Sequence, residues 1–150
     1  ELLGELPKES PFFYLMETAR NLCLVLEKKA DLGREIRLAY SQEDKETLQE
    51  IANIKIPVLL QRLQDFYQSF RTQWNLENKS FGFEVQTVRI GGLLQRLKDV
   101  QEILNAYLRE EIPGIAELNE PQKAFHYFEQ NEIRSLNYNL WTDIVSPSKI

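Results

Sequence analysis

Carboxylates are the most abundant reactive groups in this sequence, with 23 Asp and Glu against 18 Lys and Arg in 150 residues. Two carboxylates ~5 to 9.5 Å apart can split a glycosidic bond by acid and base catalysis, but no spacing in the chain singles out such a pair. Glu43, Asp44 and Glu46, and Glu110 and Glu111 beside Arg109, read as solvated helix faces and ends. A di-iron bundle would need two Glu-x-x-His motifs. The single histidine, His126, has Lys123 three residues before it, so that class is excluded. His126 lies among Phe125, Tyr127 and Phe128 and reads as a packed histidine.

Cys23 is the only cysteine. No internal disulfide can form, and one Cys with one His cannot build a zinc site. Cys23 sits at the helical spacing of Ala19, Leu22 and Leu26, where a thiol usually acts as a small core hydrophobe. The residues therefore imply no catalytic group, no metal and no cofactor.

The region that stands out instead runs from Trp74 to Leu97, WNLENKSFGFEVQTVRIGGLLQRL. Gly91 and Gly92 fall inside a predicted helix, where the pair costs ~2 kcal/mol relative to alanines. Close packing of a neighbouring helix or domain is the simplest offset. A phosphate cradle is disfavoured, because neither G-x-G-x-x-G nor Walker spacing is present. Glu84, Gln86 and Arg89 follow the helix start, where an acid complements the dipole and Arg89 could pair with Glu84 or Glu77. With Trp74, Asn78, Phe81 and Phe83 they form a turn more hydrophobic than a free loop usually is. We read Trp74, Glu77, Asn78, Phe81, Phe83, Glu84, Gln86, Arg89, Gly91 and Gly92 as a docking surface.

These residues need helices to position them. Residues 1–9 lack periodicity and read as a lead-in. Ser10 and Pro11 supply an N-cap and a first-turn proline, and Phe12, Met16, Ala19, Leu22, Cys23 and Leu26 trace one face of a first helix. That face continues through Ala30, Gly33, Arg37 and Tyr40, as one helix bent near Gly33 or as two shorter ones. Ser41 to Asp44 has capping-box form and predicts a new helix from about Gln42. Pro57 predicts a break between Ala52 and Ile56, since an interior proline costs ~3 kcal/mol. From there Ile56, Leu59, Leu60, Leu63, Phe66, Tyr67, Phe70 and Trp74 keep helical spacing. After a turn at Asn75 to Gly82, a helix over Phe83 to Arg109 carries two heptad rows, Ile90, Leu97, Leu104 and Leu93, Val100, Tyr107.

Short connections between successive amphipathic helices give an all-α fold, an antiparallel up-down bundle of three or four long helices over residues 10–110. Ile112, Pro113 and Gly114 end the pattern. Residues 111–150 are expected to add a short helix starting at Asn119 to Gln122 and running to Glu129. Alternation of Leu136, Tyr138 and Leu140 then suggests a terminal strand, paired with the lead-in or with a sheet outside the chain, or else an extended tail.

Composition narrows the partners. A hydrophobic content of 43% with 27% charged residues fits one soluble domain, and a chain this long buries ~70% of its unfolded surface. No segment approaches the ~20 apolar residues of a membrane span. The net charge of −5, with basic residues scattered, disfavours nucleic acid and anionic membranes. The chain starts at Glu1 without Met or a signal-like region, and is expected to be a piece of a longer protein. A cytoplasmic location is expected, with an upstream signal left open.

On Trp74, Glu77, Asn78, Phe81, Gly82, Phe83, Glu84, Val85, Gln86, Arg89, Gly91, Gly92 and Leu97, the chain resembles the C-terminal helical domain of bacterial glycoside hydrolase family 20 β-N-acetylhexosaminidases. In that family a (β/α)₈ barrel carries an adjacent Asp and Glu and uses the substrate's own acetamido oxygen as nucleophile. No Asp-Glu dipeptide occurs in this chain, so no catalytic residue carries over. The resemblance implies a single non-catalytic accessory domain that packs on the barrel of its own polypeptide and stabilises it, with a homodimer contact as a second option. Two other classes stay open from the residues: a free-standing adaptor binding through Leu93, Val100 and Tyr107, and a small carbohydrate-binding module using Trp74 or Trp141.

Overall fold

The longest helix is the one that the heptad rows predict. In a computed structural model describing residues 9–79 and 81–120, the helices are α1 (Phe13–Lys29), α2 (Leu32–Ser41), α3 (Lys45–Glu50), α4 (Ile56–Glu77), α5 (Phe83–Leu108) and α6 (Ala116–Asn119). The described residues contain no strand, and the fold is an all-α bundle. Leu97 and Leu104 of α5 are buried, with Leu93, Val100 and Tyr107 packed against the same core.

Pro57 does not break the chain's second long helix. A five-residue π-helical turn, Ile51–Lys55, joins α3 to α4. In a continuous α-helix the proline ring would press on the carbonyl four residues back, that of Asn53; one wide turn relieves the clash and keeps the rod intact. The turn has its own hydrogen-bond problem. Ile56 N–H donates to Ile51 O, and Pro57, the next residue in the π pattern, has no N–H to give Ala52 O. Gln101 reaches across from α5 and donates its side-chain amide to that carbonyl at 2.7 Å. Around this turn the core is closed: Leu48, Ala52, Ile56 and Leu59 are fully buried, each large aliphatic contributing ~1.5–3 kcal/mol.

The capping box is shifted by one element. Ser41 ends α2 and donates to Leu38 O within its own helix. Asp44 is the N-cap of α3, accepting from Thr47 N–H at 3.0 Å and from Thr47 Oγ1 at 2.6 Å. The first helix is two helices, separated at Ala30 and Asp31 rather than bent at Gly33. Its first turn begins at Phe13, with Ser10 and Pro11 in the preceding turn.

The largest correction concerns which way α1 faces. Phe12, Met16, Ala19, Leu22, Cys23 and Leu26 are all exposed, so Cys23 is not a core residue. Thr18 and Val25 are buried in their place. On this inner face Tyr14 meets Glu77, Asn21 meets Ser69, and Arg62 meets Leu24 O. The partners run in opposite chain order, so α1 and α4 are antiparallel; Tyr67 to Thr87 and Ala52 to Gln101 show the same for α4 and α5. Asn119, in the stretch expected to start a helix, instead ends α6, with Glu120 extended; the rest of that expected helix to Glu129 and the terminal strand lie outside the described residues, as do His126 and Trp141.

Candidate functional site

The turn between α4 and α5 is organised around one glycine. Gly82 is the N-cap of α5 with φ of +100°, a backbone region that side chains disfavour. A Cβ at Gly82 would also stand 3.2 Å from Cζ2 of Trp74. That close approach closes an aromatic cluster: Phe83 lies 5.6 Å from Phe70, 5.7 Å from Trp74 and 5.6 Å from Tyr67, centroid to centroid. Offset and edge contacts of this kind add to area burial. The Trp74 indole N–H donates to Lys79 O at 2.9 Å, and Asn78 N–H donates to Trp74 O at 2.8 Å as α4 ends.

The ten residues of the expected surface separate into supports and free groups. Phe83 is buried, Trp74 is half-buried, and Asn78 caps α4. Among the described residues Glu84 pairs with neither arginine nor lysine; its carboxylate accepts from Gly82 N–H at 2.7 Å and fixes the turn. Glu77 accepts from the Tyr14 hydroxyl at 3.1 Å and from Gln73 at 3.1 Å, tying α1 to this end of α4. Burial, and then the Glu77 carboxylate, hold the Tyr14 phenol above its ordinary pKa. The expected pairing of Arg89 with Glu84 or Glu77 is therefore not made. Its Nε is buried and has no hydrogen-bond partner among the described residues. Gln86 is half-buried nearby.

Phe81 is 88% exposed, and Val88, one turn into α5, is 54% exposed. Gly91 and Gly92 are exposed as well. Close packing inside the bundle does not offset the cost of Gly91, since a Cβ there would meet nothing within 4 Å. Tyr14, Thr87 and Val88 escaped the sequence reading. Thr87 accepts or donates at 3.0 Å to the Tyr67 hydroxyl, and its place one turn after Phe83 was the available signal.

A concavity of about 400 Å³ lies between α2, α5 and α6, lined by Ile36, Val100 and Leu104 among others. Its arginines are already engaged: Arg96 pairs with Glu117 at 2.7 Å, and Arg37 donates to the carbonyls of Leu118 and Glu120. Among the described residues no three His, Cys, Asp or Glu gather as metal ligands, and no helix is long and apolar enough to cross a membrane.

The family model described as Glycoside Hydrolase 20C C-terminal domain matches residues 3–137. The chain belongs to that family. The match covers most of the chain and contains the whole Trp74 to Leu97 region, so the aromatic turn is part of a glycoside hydrolase 20C C-terminal domain. No curated protein sequence matches the chain significantly. A domain of this family is by description the C-terminal part of a larger glycoside hydrolase, which sets the catalytic domain of the same polypeptide as its neighbour.

Proposed function

We propose that this chain is the non-catalytic C-terminal domain of a β-N-acetylhexosaminidase, and that it packs on the catalytic barrel and stabilises it through the α4–α5 turn. The family match supports the assignment, and the observation that carries the surface is Phe81, an aromatic side chain 88% exposed beside a half-buried aromatic cluster. Val88, Gly91 and Gly92 extend the same side of α5, where the missing side chains would let barrel backbone approach closely. Hydrolysis of terminal N-acetylhexosamine would then belong wholly to the barrel. The exposed free thiol of Cys23 suits a reducing, cytoplasmic setting.

Among the described residues, those on which the other two classes would rely are engaged in packing; Trp141 lies outside them. Leu93, Val100 and Tyr107, the stripe an adaptor would present, pack against the internal core. Trp74 has its indole N–H and ring engaged with Lys79, Phe70 and Phe83, which counts against a sugar-stacking platform. The test is to express the parent polypeptide with and without this domain and follow N-acetylhexosaminidase activity during heating. The proposal expects the truncated barrel to lose activity at lower temperature. Equal thermal profiles would overturn the stabilising role.

A further inference from the structure

Helix α1 leaves an apolar row uncovered on its outer face. It meets α4 through Tyr14 to Glu77, Asn21 to Ser69 at 3.1 Å, and Arg62 to both Leu24 O and Glu27 at 2.7 and 2.9 Å. Val25 is buried with the core, but a row of apolar side chains points the other way, with Phe12 59% and Leu26 48% exposed and Met16, Leu22 and Cys23 between them also exposed. Phe12, Met16, Ala19, Cys23 and Leu26 are spaced four, three, four and three apart, the seam that one helix offers to another. Apolar side chains left on the outer face, beside polar contacts shared with Val25 on the inner one, depart from the usual amphipathic arrangement, and a contiguous exposed apolar strip of this kind marks an interaction site. The strip starts beside the α4–α5 turn, because Tyr14, two residues beyond Phe12, bonds Glu77 at the end of α4.

We propose that the outward face of α1 is a second docking surface and that its occupant is the catalytic barrel that precedes this domain in the same polypeptide. The inference rests on the accessory-domain reading above. The family match begins at residue 3 and α1 at Phe13, ten residues later (13 − 3), and ten extended residues span at most ~35 Å. A short tether holds the preceding domain at high effective concentration next to the first helix it reaches. A (β/α)₈ barrel has an outer ring of helices, which is the partner a heptad seam fits. A second copy of the chain is the poorer occupant: an antiparallel pair centred on Ala19 and Cys23 would bring Arg20, which flanks the seam, against its own counterpart.

Cys23 is the reporter, because it is the only cysteine in the chain and lies in the middle of the strip. The rate of its alkylation by iodoacetamide, read by mass spectrometry of the Cys23 peptide, is compared between the 150-residue chain and the parent polypeptide with its barrel. The proposal expects at least ~tenfold slower reaction in the parent protein, and fast reaction again in a Met16→Lys, Leu26→Lys variant whose hydrolase activity survives. If that variant does not fold by circular dichroism, the comparison of the two unmodified proteins decides. Equal rates overturn the α1 surface; the accessory reading then still stands if deleting the domain lowers the barrel's thermal stability, and falls if it does not. Protection already present in the 150-residue chain would assign the strip to the chain's own residues, and protection lost on dilution would assign it to a second copy. Either result overturns the proposal.

Discussion

Where α2 and α3 meet the last turns of α5, the bundle is finished. Leu48, Ile56, Leu59 and Leu104 are fully buried, Tyr40 packs 5.2 Å from Tyr107, and its hydroxyl accepts from Ile115 N–H while donating to Asn119. Even the carbonyl that Pro57 leaves without a partner is served by Gln101. The opposite end, where α1 begins and α4 turns into α5, is built from aromatic side chains that are only half-covered, with Phe81 and Val88 outside and Arg89 Nε without a partner among the described residues. One end is closed, and the other leaves apolar side chains exposed.

The comparison can be broken most easily at the finished end. Leu104→Ala should destabilise the chain by ~2–5 kcal/mol in a denaturant titration, through lost transfer energy and a cavity; a loss under ~1 kcal/mol would mean that this end does not carry the stability. Gln101→Leu should cost ~1–3 kcal/mol, because Ala52 O would stay buried without a donor. Measured together with Pro57→Ala, which restores an N–H, the two losses should fail to add. At the turn, Gly82→Ala should cost ~1–2 kcal/mol from its left-handed backbone and shift tryptophan fluorescence as Trp74 gives way. A change in stability without that shift would separate backbone strain from the Trp74 contact.

Acid should act weakly, and at the finished end. Thr47 holds the Asp44 carboxyl below its ordinary 3.8, and Lys45 holds Glu110 below its ordinary 4.5. A carboxyl with its folded pKa depressed stabilises the fold above its unfolded value and loses that contribution as pH falls through the folded one. Stability is therefore expected to be level above pH 4.5 on this account and to decline below it. Asp44→Asn keeps a capping oxygen but removes the titration, so its acid decline should be shallower. An identical decline would place the titrating groups elsewhere.

The α4 and α5 helices were legible because their apolar faces also have neighbours inside the chain: Leu59, Leu63, Leu97 and Leu104 read as core and are core. The face of α1 has the same spacing and is exposed, since periodicity shows that a helix has an apolar side without showing what covers it. The polar residues that bind α1, Tyr14, Asn21 and the carbonyl of Leu24, find partners on α4 that sequence spacing does not expose. Pro57 signalled a fault in the helix, but the donor that serves the carbonyl it leaves free comes from Gln101, forty-four residues away (101 − 57). At the candidate surface the residue set was visible from its composition, while the division into supports and free groups was not. Glu84 could equally have paired with Arg89, and only the fold of the turn brings Gly82 N–H to it.

The most direct test replaces Phe81 with aspartate in two settings, the 150-residue chain and the parent enzyme with its barrel. In the chain alone, a side chain 88% exposed should tolerate the change within ~0.5 kcal/mol in denaturant unfolding. In the parent enzyme the same substitution should lower the temperature at which hexosaminidase activity is lost, as the charge is forced against the barrel. An unchanged inactivation temperature, with the chain alone equally unaffected, would contradict the claim that the open end is a docking surface.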